Sequence, residues 1–278
     1  MRVAVITDST ASLPPDTARQ WGIRVVPIRI RLGDHLADEL SVPPTAVVAA
    51  MRADRGVSTE PPDPAALYWT YRAAFDDGAD AVVSIHISAL QSRTVEHARQ
   101  AAAQLRAPVH VIDSRLMGMA LGYAVTGAAR VAGAGGSPHR VVEAVKRRLA
   151  GSATFVHVHT LDHLRRGGRI GAAAHLVGSA LSLKPLLTMR DGQVAPLDRA
   201  FGSGRALRKL VDTTVANAGD RVVDIAVEHV GALTEAESVM GELRARIPHV
   251  REHLVTEASS AIAVHTGPGT LSVTVSPT

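Results

Sequence analysis

Short β-branched runs alternate along this chain with longer stretches whose apolar residues recur at helical spacing. Residues 2–6 form the first such run, which leads into the polar Thr7-Asp8-Ser9-Thr10-Ala11-Ser12. Pro15 and Asp16 then mark a helix start. Residues 25–31 alternate apolar residues with arginine, as a half-exposed strand does. Residues 81–87 and 109–112 are further strands, with a helix over 94–105 between them. A small-residue, apolar helix follows over 116–131, then an amphipathic one over 141–149. The pattern resumes with a strand at 154–158, a glycine turn at 166–169 and a helix near 174–181. Residues 186–189 and 193–195 flank Asp191-Gly192, the strongest local hairpin signal. Helices over 206–215 and 235–247 then alternate with strands at 222–227, 250–255 and 271–275. Strands alternating with helices predict an α/β fold with a parallel sheet.

The length, 278 residues, suits two modest domains. Gly133-Ala134-Gly135-Gly136-Ser137-Pro138 is the clearest linker-like punctuation. The boundary is placed after the helix that follows it, which gives domains 1–150 and 151–278.

Composition sharpens this picture. The chain is 46% hydrophobic but only 3% aromatic, so its cores and clefts are aliphatic. Such a cleft suits an alkyl chain better than a stacked base. The isoelectric point near 9.9 comes with a net charge of only +4. All but three of the 30 basic residues are arginines, whose high pKa raises the isoelectric point without a strong field at pH 7. No dense basic tract marks a nucleic-acid partner. There is no cysteine, hence no disulfide or thiol nucleophile. With no membrane-span-like run and no signal-peptide pattern, a cytoplasmic protein is expected.

Four stretches could carry chemistry. Thr7, Asp8, Ser9, Thr10 and Ser12 follow the first strand, and open α/β sheets bind ligands beyond strand carboxyl ends. Ser58 and Thr59 form a hydroxyl pair held by Pro61 and Pro62. Ser88, Ser92, Arg93 and Thr94 cluster where a helix N-terminus offers free N–H groups to an anion. Last comes His265-Thr266-Gly267-Pro268-Gly269, a histidine at the mouth of a loop whose glycines let backbone N–H groups approach a ligand. His157, His159 and His163 are close in sequence, but no acidic pattern completes a metal spacing, and no metal is expected. A serine hydrolase or acyltransferase would pair His265 as general base with Ser9, Ser88 or Ser92. The G-x-S-x-G elbow for it is missing. Dinucleotide and phosphate-loop motifs are absent as well, so no cofactor is expected.

Taken in order, these stretches resemble the DegV family of bacterial fatty-acid-binding proteins. The likeness rests on Thr7-Asp8-Ser9-Thr10 with Leu13-Pro14, on Ser58-Thr59-Glu60-Pro61 in place of Thr-Ser-Gln-Pro, and on Ser88…Ser92-Arg93-Thr94. It continues through Asp113-Ser114, Thr160-Leu161-Asp162-His163-Leu164-Arg165-Arg166-Gly167-Gly168-Arg169-Ile170, Lys184-Pro185-Leu186-Leu187 and the His265 loop.

The resemblance implies a two-domain DegV-like fold, each domain a largely parallel or mixed sheet flanked by helices. It implies a long-chain fatty acid buried in an aliphatic pocket, its carboxylate held by hydroxyls and a histidine. In the family's better-understood members the protein is not a catalyst. It presents the carboxylate to a separate fatty-acid kinase, which makes acyl phosphate for phospholipid synthesis. Membrane contact is transient at most. By motif, Ser58 stands at the ligand hydroxyl, His265 at the carboxylate histidine and Arg169 at the arginine needed for the kinase step, aimed outward after its Gly-Gly turn. Three departures stand out. Ala89 occupies the second serine of a Ser-Ser pair, Leu90 and Arg93 replace glycines, and Phe201 falls about where many members carry an arginine. A head-group site rebuilt around Arg93, or a different ligand, is the expectation these departures raise.

Overall fold

The computed structural model of the chain describes residues 1–176 and 183–278. The first sheet is four-stranded, in the order β2 (Arg24–Val26), β1 (Val3–Asp8), β6 (Ala81–His86) and β7 (Val109–Asp113), all parallel. Every residue of β6 is buried, because the sheet is covered on both faces, as parallel sheets are. Residues Val3, Val5, Val83 and Ile85 face one core, while Ile6, Val26 and Val82 face another. Helices α3 (Pro64–Asp76) and α4 (Thr94–Ala102) cover the second face; α5 (Met119–Gly133) and α6 (Pro138–Gly151) cover the first.

The second half builds a six-stranded sheet, β10-β9-β8-β13-β11-β12, from β8 (Ala153–His157), β9 (Leu183–Arg190), β10 (Gln193–Phe201), β11 (Val223–His229), β12 (Val250–Glu257) and β13 (Leu271–Pro277). Only β11 and β12 pair in parallel. The last strand returns between β8 and β11, which makes this sheet mixed and mainly antiparallel. Helices α8 (Ser203–Ala218) and α9 (Leu233–Arg246) cover its outer face. Helices α5 and α6 also touch β13, so they form a shared layer between the two large sheets. Tyr123 of α5 ties that layer down by donating to the Ile225 carbonyl at 2.7 Å.

A small antiparallel sheet, β4 (His35–Asp38), β3 (Arg29–Leu32) and β5 (Val57–Glu60), stands beside them. The predicted single strand over 25–31 is therefore two strands in two sheets. Pro27 lacks an N–H to donate, and the Ile28 N–H donates to Ser9 Oγ at 2.9 Å instead of to a strand. Between this sheet and α7 (Asp162–Arg166) lies α10 (Ser260–Thr266), which also packs on α2 (Pro44–Arg52). The helix expected near 174–181 reaches into residues outside the described ones. Its described part belongs to a 3-10 helix, Gly171–Leu176. The predicted hairpin forms, with Asp191 and Gly192 both at positive φ. Among the described residues, no helix is long and apolar enough to cross a membrane.

Candidate functional site

Two cavities of opposite character share one wall. The first, about 50 Å³, is lined by aliphatic residues of both halves, among them Ile28, Ile87, Met117, Leu164, Val194 and Ile262. The second, about 280 Å³, is polar and includes Arg55, Ser58, His163 and Arg166. Thr59, Arg169 and His265 line both.

Each wall residue is placed by a different element. Thr59 sits on β5, paired across to Ile30. His265 occupies the last turn of α10, not a loop. The apolar Ala261-Ile262-Ala263-Val264 before it is buried nearly all round, so it lacks the periodicity that marks a surface helix. His265 Nε2 and Thr59 Oγ1 are 2.8 Å apart. His265 Nδ1 is buried and has no hydrogen-bond partner. Burial first, and the nearby Arg169 charge second, push the imidazole down to about 4, so it is neutral at pH 7. Arg169 donates from Nε to the Gln91 carbonyl at 3.1 Å and from Nη1 to the Gly167 carbonyl at 2.5 Å. Its side chain is thus turned into the shared wall, not outward, because two backbone acceptors hold it there.

Backbone packing completes the wall. A Cβ on Gly167 would lie 2.1 Å from His265 Nδ1, so only glycine lets the turn after α7 press on the imidazole. Gly267, at φ +90°, ends α10 against the His163 ring, where a Cβ would come within 2.4 Å. Glu60 also lines the aliphatic cavity, but it accepts from Arg29 at 2.9 Å and Arg31 at 2.5 Å. Its charge is paired, and the Arg31 hydrogen bond holds its carboxyl below the usual range.

The remaining sequence candidates divide. Ser92 and Thr266 line the aliphatic cavity. Ser92 also accepts the Thr94 N–H at 3.3 Å, so Thr94 serves the start of α4 and is fully buried. Ser58 faces the polar cavity and is exposed, since neighbouring residues of a strand point to opposite faces. Thr59, not Ser58, therefore meets the histidine.

Like Ser58, Thr94 and Gly267, five further candidates do not line the aliphatic cavity. Thr7 is buried inside β1. Asp8 is used internally: Oδ2 accepts from Ile87 N at 3.0 Å and lies 2.9 Å from His86 Nδ1, and Oδ1 accepts from Thr10 N at 3.1 Å. Ser9 donates to Glu39. Ser88 donates to the Gly192 carbonyl at 2.7 Å. Arg93 is exposed, pairs with Glu96 at 2.9 Å and lines neither cavity. The serine–histidine pairs weighed for hydrolysis are not formed: Ser9 and Ser88 have these other partners, and Ser92 bonds Thr94. Phe201 is exposed at the end of β10, away from both cavities. No group of three His, Cys, Asp or Glu suited to a metal occurs among the described residues.

Sequence reasoning missed two parts. Glu39 is buried, and its Oε1 accepts from Ser259 Oγ at 2.7 Å and Ala261 N at 3.1 Å. It thereby anchors the start of α10 and, through the helix, His265. Burial raises its pKa. The other part is the aliphatic lining, Met117 and Ile262 above all, which is ordinary core in sequence and carries no local signal.

These features define a class: layered α/β proteins whose halves enclose a narrow aliphatic cavity walled by a hydroxyl, an imidazole and a guanidinium. A family model described as uncharacterised protein, DegV family, matches residues 2–278. The chain belongs to the DegV family. It is 41% identical over 275 residues to a DegV domain-containing protein of Streptomyces coelicolor, covering 99% of this chain and 98% of that one. A structure described as fatty acid binding of a DegV family protein from Thermus thermophilus superposes with a TM-score of 0.95 at 32% identity, covering all of both chains. DegV from Bacillus subtilis, described as a fatty acid binding protein, superposes with a TM-score of 0.91 at 26% identity, again over all of both chains.

Proposed function

We propose that this protein binds a long-chain fatty acid, with the acyl chain in the aliphatic cavity and the carboxylate at Thr59, His265 and Arg169. The observation that carries this reading is the Thr59–His265 pair at 2.8 Å, set at the end of an aliphatic cavity beside a guanidinium. Thermus and Bacillus relatives described as fatty-acid binders support it. Burying the chain contributes about 0.8 kcal/mol per CH₂ group before association costs. The neutral imidazole donates to, or accepts from, its partners without adding charge, while Arg169 supplies the cation a carboxylate needs. We read 1–150 and 151–278 as the two domains that close on the chain, since each contributes to the cavity wall.

The bound carboxylate would be handed on rather than turned over. His265 Nδ1 has no orienting partner, and a hydroxyl–imidazole pair needs one to work as a nucleophile and base. We propose a separate fatty-acid kinase as the recipient, with Arg169, which borders both cavities, neutralising charge at the transferred phosphoryl group.

Protein purified from a bacterial host and extracted for mass spectrometry should yield a fatty acid near one-to-one. No acyl species after delipidation and reloading over several chain lengths would end the reading. With a cognate kinase and ATP, Arg169→Ala should bind fatty acid more weakly and, compared at saturating fatty acid, should form little acyl phosphate. Equal rates would remove Arg169 from the transfer.

A further inference from the structure

Beside Met117, Ile262 and Thr266 lies a third cavity of about 10 Å³, which Thr59 and His265 do not line. Those three residues line both it and the aliphatic cavity, so the two are neighbours through a single layer of side chains. Its far wall holds Glu228, on β11. This side chain is 2% exposed. Oε2 accepts the Met119 N–H at 3.0 Å, at the start of α5, and Gly118 leaves room for it, because a Cβ there would lie 2.6 Å from Oε2. Oε1 makes no hydrogen bond of normal geometry, although the Ser12 hydroxyl acts on the carboxyl and partly offsets the effect of burial.

A buried carboxyl oxygen without a partner is costly, and proteins pair such atoms with protein groups, water or ligand. Of the three other hydroxyls on the cavity wall, that of Ser272 stands opposite Glu228 across the β11–β13 pairing, and two have no donor to give. Thr266 Oγ1 donates to the Ile262 carbonyl at 3.1 Å, and Thr270 Oγ1 to the Gly267 carbonyl at 2.8 Å. The space is about that of one oxygen atom. Burial raises the Glu228 pKa, which favours a neutral carboxyl that both donates and accepts.

We propose that this cavity is the distal end of the acyl pocket, and that Glu228 there makes the protein prefer acyl chains with a hydroxyl on their distal half over unsubstituted chains. The inference rests on the fatty-acid reading above. An unsubstituted chain reaching Met117 leaves Oε1 unpaired or held by a water. A hydroxyl placed there pairs it and displaces the water.

The test is a panel of octadecanoic acids, unsubstituted and hydroxylated at carbon 2, 10, 12 or 17, titrated against delipidated wild type, Glu228→Gln and Glu228→Leu. At least one of the distal hydroxy acids should bind wild type about tenfold tighter than the unsubstituted acid. The 2-hydroxy acid should show no such gain. Glu228→Gln, which still donates and accepts, should keep the preference, and Glu228→Leu should lose it. Equal binding of all the acids by wild type overturns the proposal, as does a preference that survives in Glu228→Leu. Wild type alone decides the matter if the leucine variant does not fold. No binding of any acid, by contrast, overturns the fatty-acid reading itself.

Discussion

The two cavities on either side of Thr59, Arg169 and His265 differ in nearly everything except that wall. One is narrow and aliphatic, about 50 Å³; the other is polar, about 280 Å³, and carries Arg55, Arg166 and His163. The smaller space is walled almost wholly by apolar surface, which rewards an alkyl chain, whereas the larger one presents polar and apolar surface about equally. Size alone would point to the other side from the one the fatty-acid reading chooses. On the fatty-acid reading, the contrast makes the wall an interface between an apolar medium and a more polar one, where an amphipathic ligand would place its anionic end.

Breaking the wall outright should have the largest effect. Thr59→Val combined with His265→Ala should weaken fatty-acid binding by about 100-fold, within the roughly 1.5–3 kcal/mol of hydrogen bonds to a charged group. Fluorescent fatty-acid displacement measures it. Unchanged affinity would put the carboxylate elsewhere.

Gly167→Ala attacks the same wall from the polar side. The added methyl must displace the imidazole, and affinity should fall about tenfold, with the Thr59 hydrogen bond lost. In a His265→Ala background the same change should cost almost nothing further, because both act through one ring. Full additivity in that cycle would mean the glycine matters for another reason.

Two histidines sharpen the comparison electrostatically. His157 and His265 are both pushed down to about 4, chiefly by burial, but the second cause is the His159 charge for one and the Arg169 charge for the other. Arg169→Ala should therefore move the His265 titration upward and leave His157 where it is, as read from imidazole NMR shifts against pH. A matching rise at His157 would contradict the assignment of causes. For stability, a histidine held neutral in the fold binds fewer protons than when unfolded between pH 6.5 and 4. Its contribution is whole above 6.5 and is lost as pH falls toward 4. Neither His157 ring nitrogen has a hydrogen-bond partner. His157→Leu should thus lose less stability than wild type between pH 7 and pH 5, by about 1 kcal/mol in denaturant melts. Parallel curves would show that His157 charges freely in the fold.

The smallest effect belongs to Ser58→Ala. Ser58 faces only the polar side, so fatty-acid affinity should stay within about twofold, the margin of a surface substitution. A loss as large as that of Thr59→Val would mean the two strand faces are exchanged on binding.

Much of the fold was legible because it is written in local periodicity. The first strand, the helices after Pro15 and Pro138, and the Asp191-Gly192 hairpin carry their own turn and cap chemistry, and they form where expected. The ordered motifs also brought Thr59, Arg169, Ser92, His265 and Thr266 into view. Other polar groups from the same motifs do not line the aliphatic cavity. Asp8, Ser9 and Ser88 instead close buried hydrogen bonds that hold loops together. A motif residue that binds and one that braces its neighbour look alike in one dimension.

By itself, then, the sequence determined the α/β class, the aliphatic character of the interior and the residue types available for an anion. Those follow from composition and from periods of two and 3.6 residues, which any local stretch displays. Only the tertiary structure decided that Thr59 rather than Ser58 meets His265, that Arg169 turns inward and Arg93 outward, and that Glu228 faces a cavity. Each of those outcomes depends on groups far apart along the chain: 206 residues separate Thr59 from His265, and 109 separate Met119 from Glu228. Such pairs are set by how sheets and helices pack in three dimensions, and no local pattern encodes that packing.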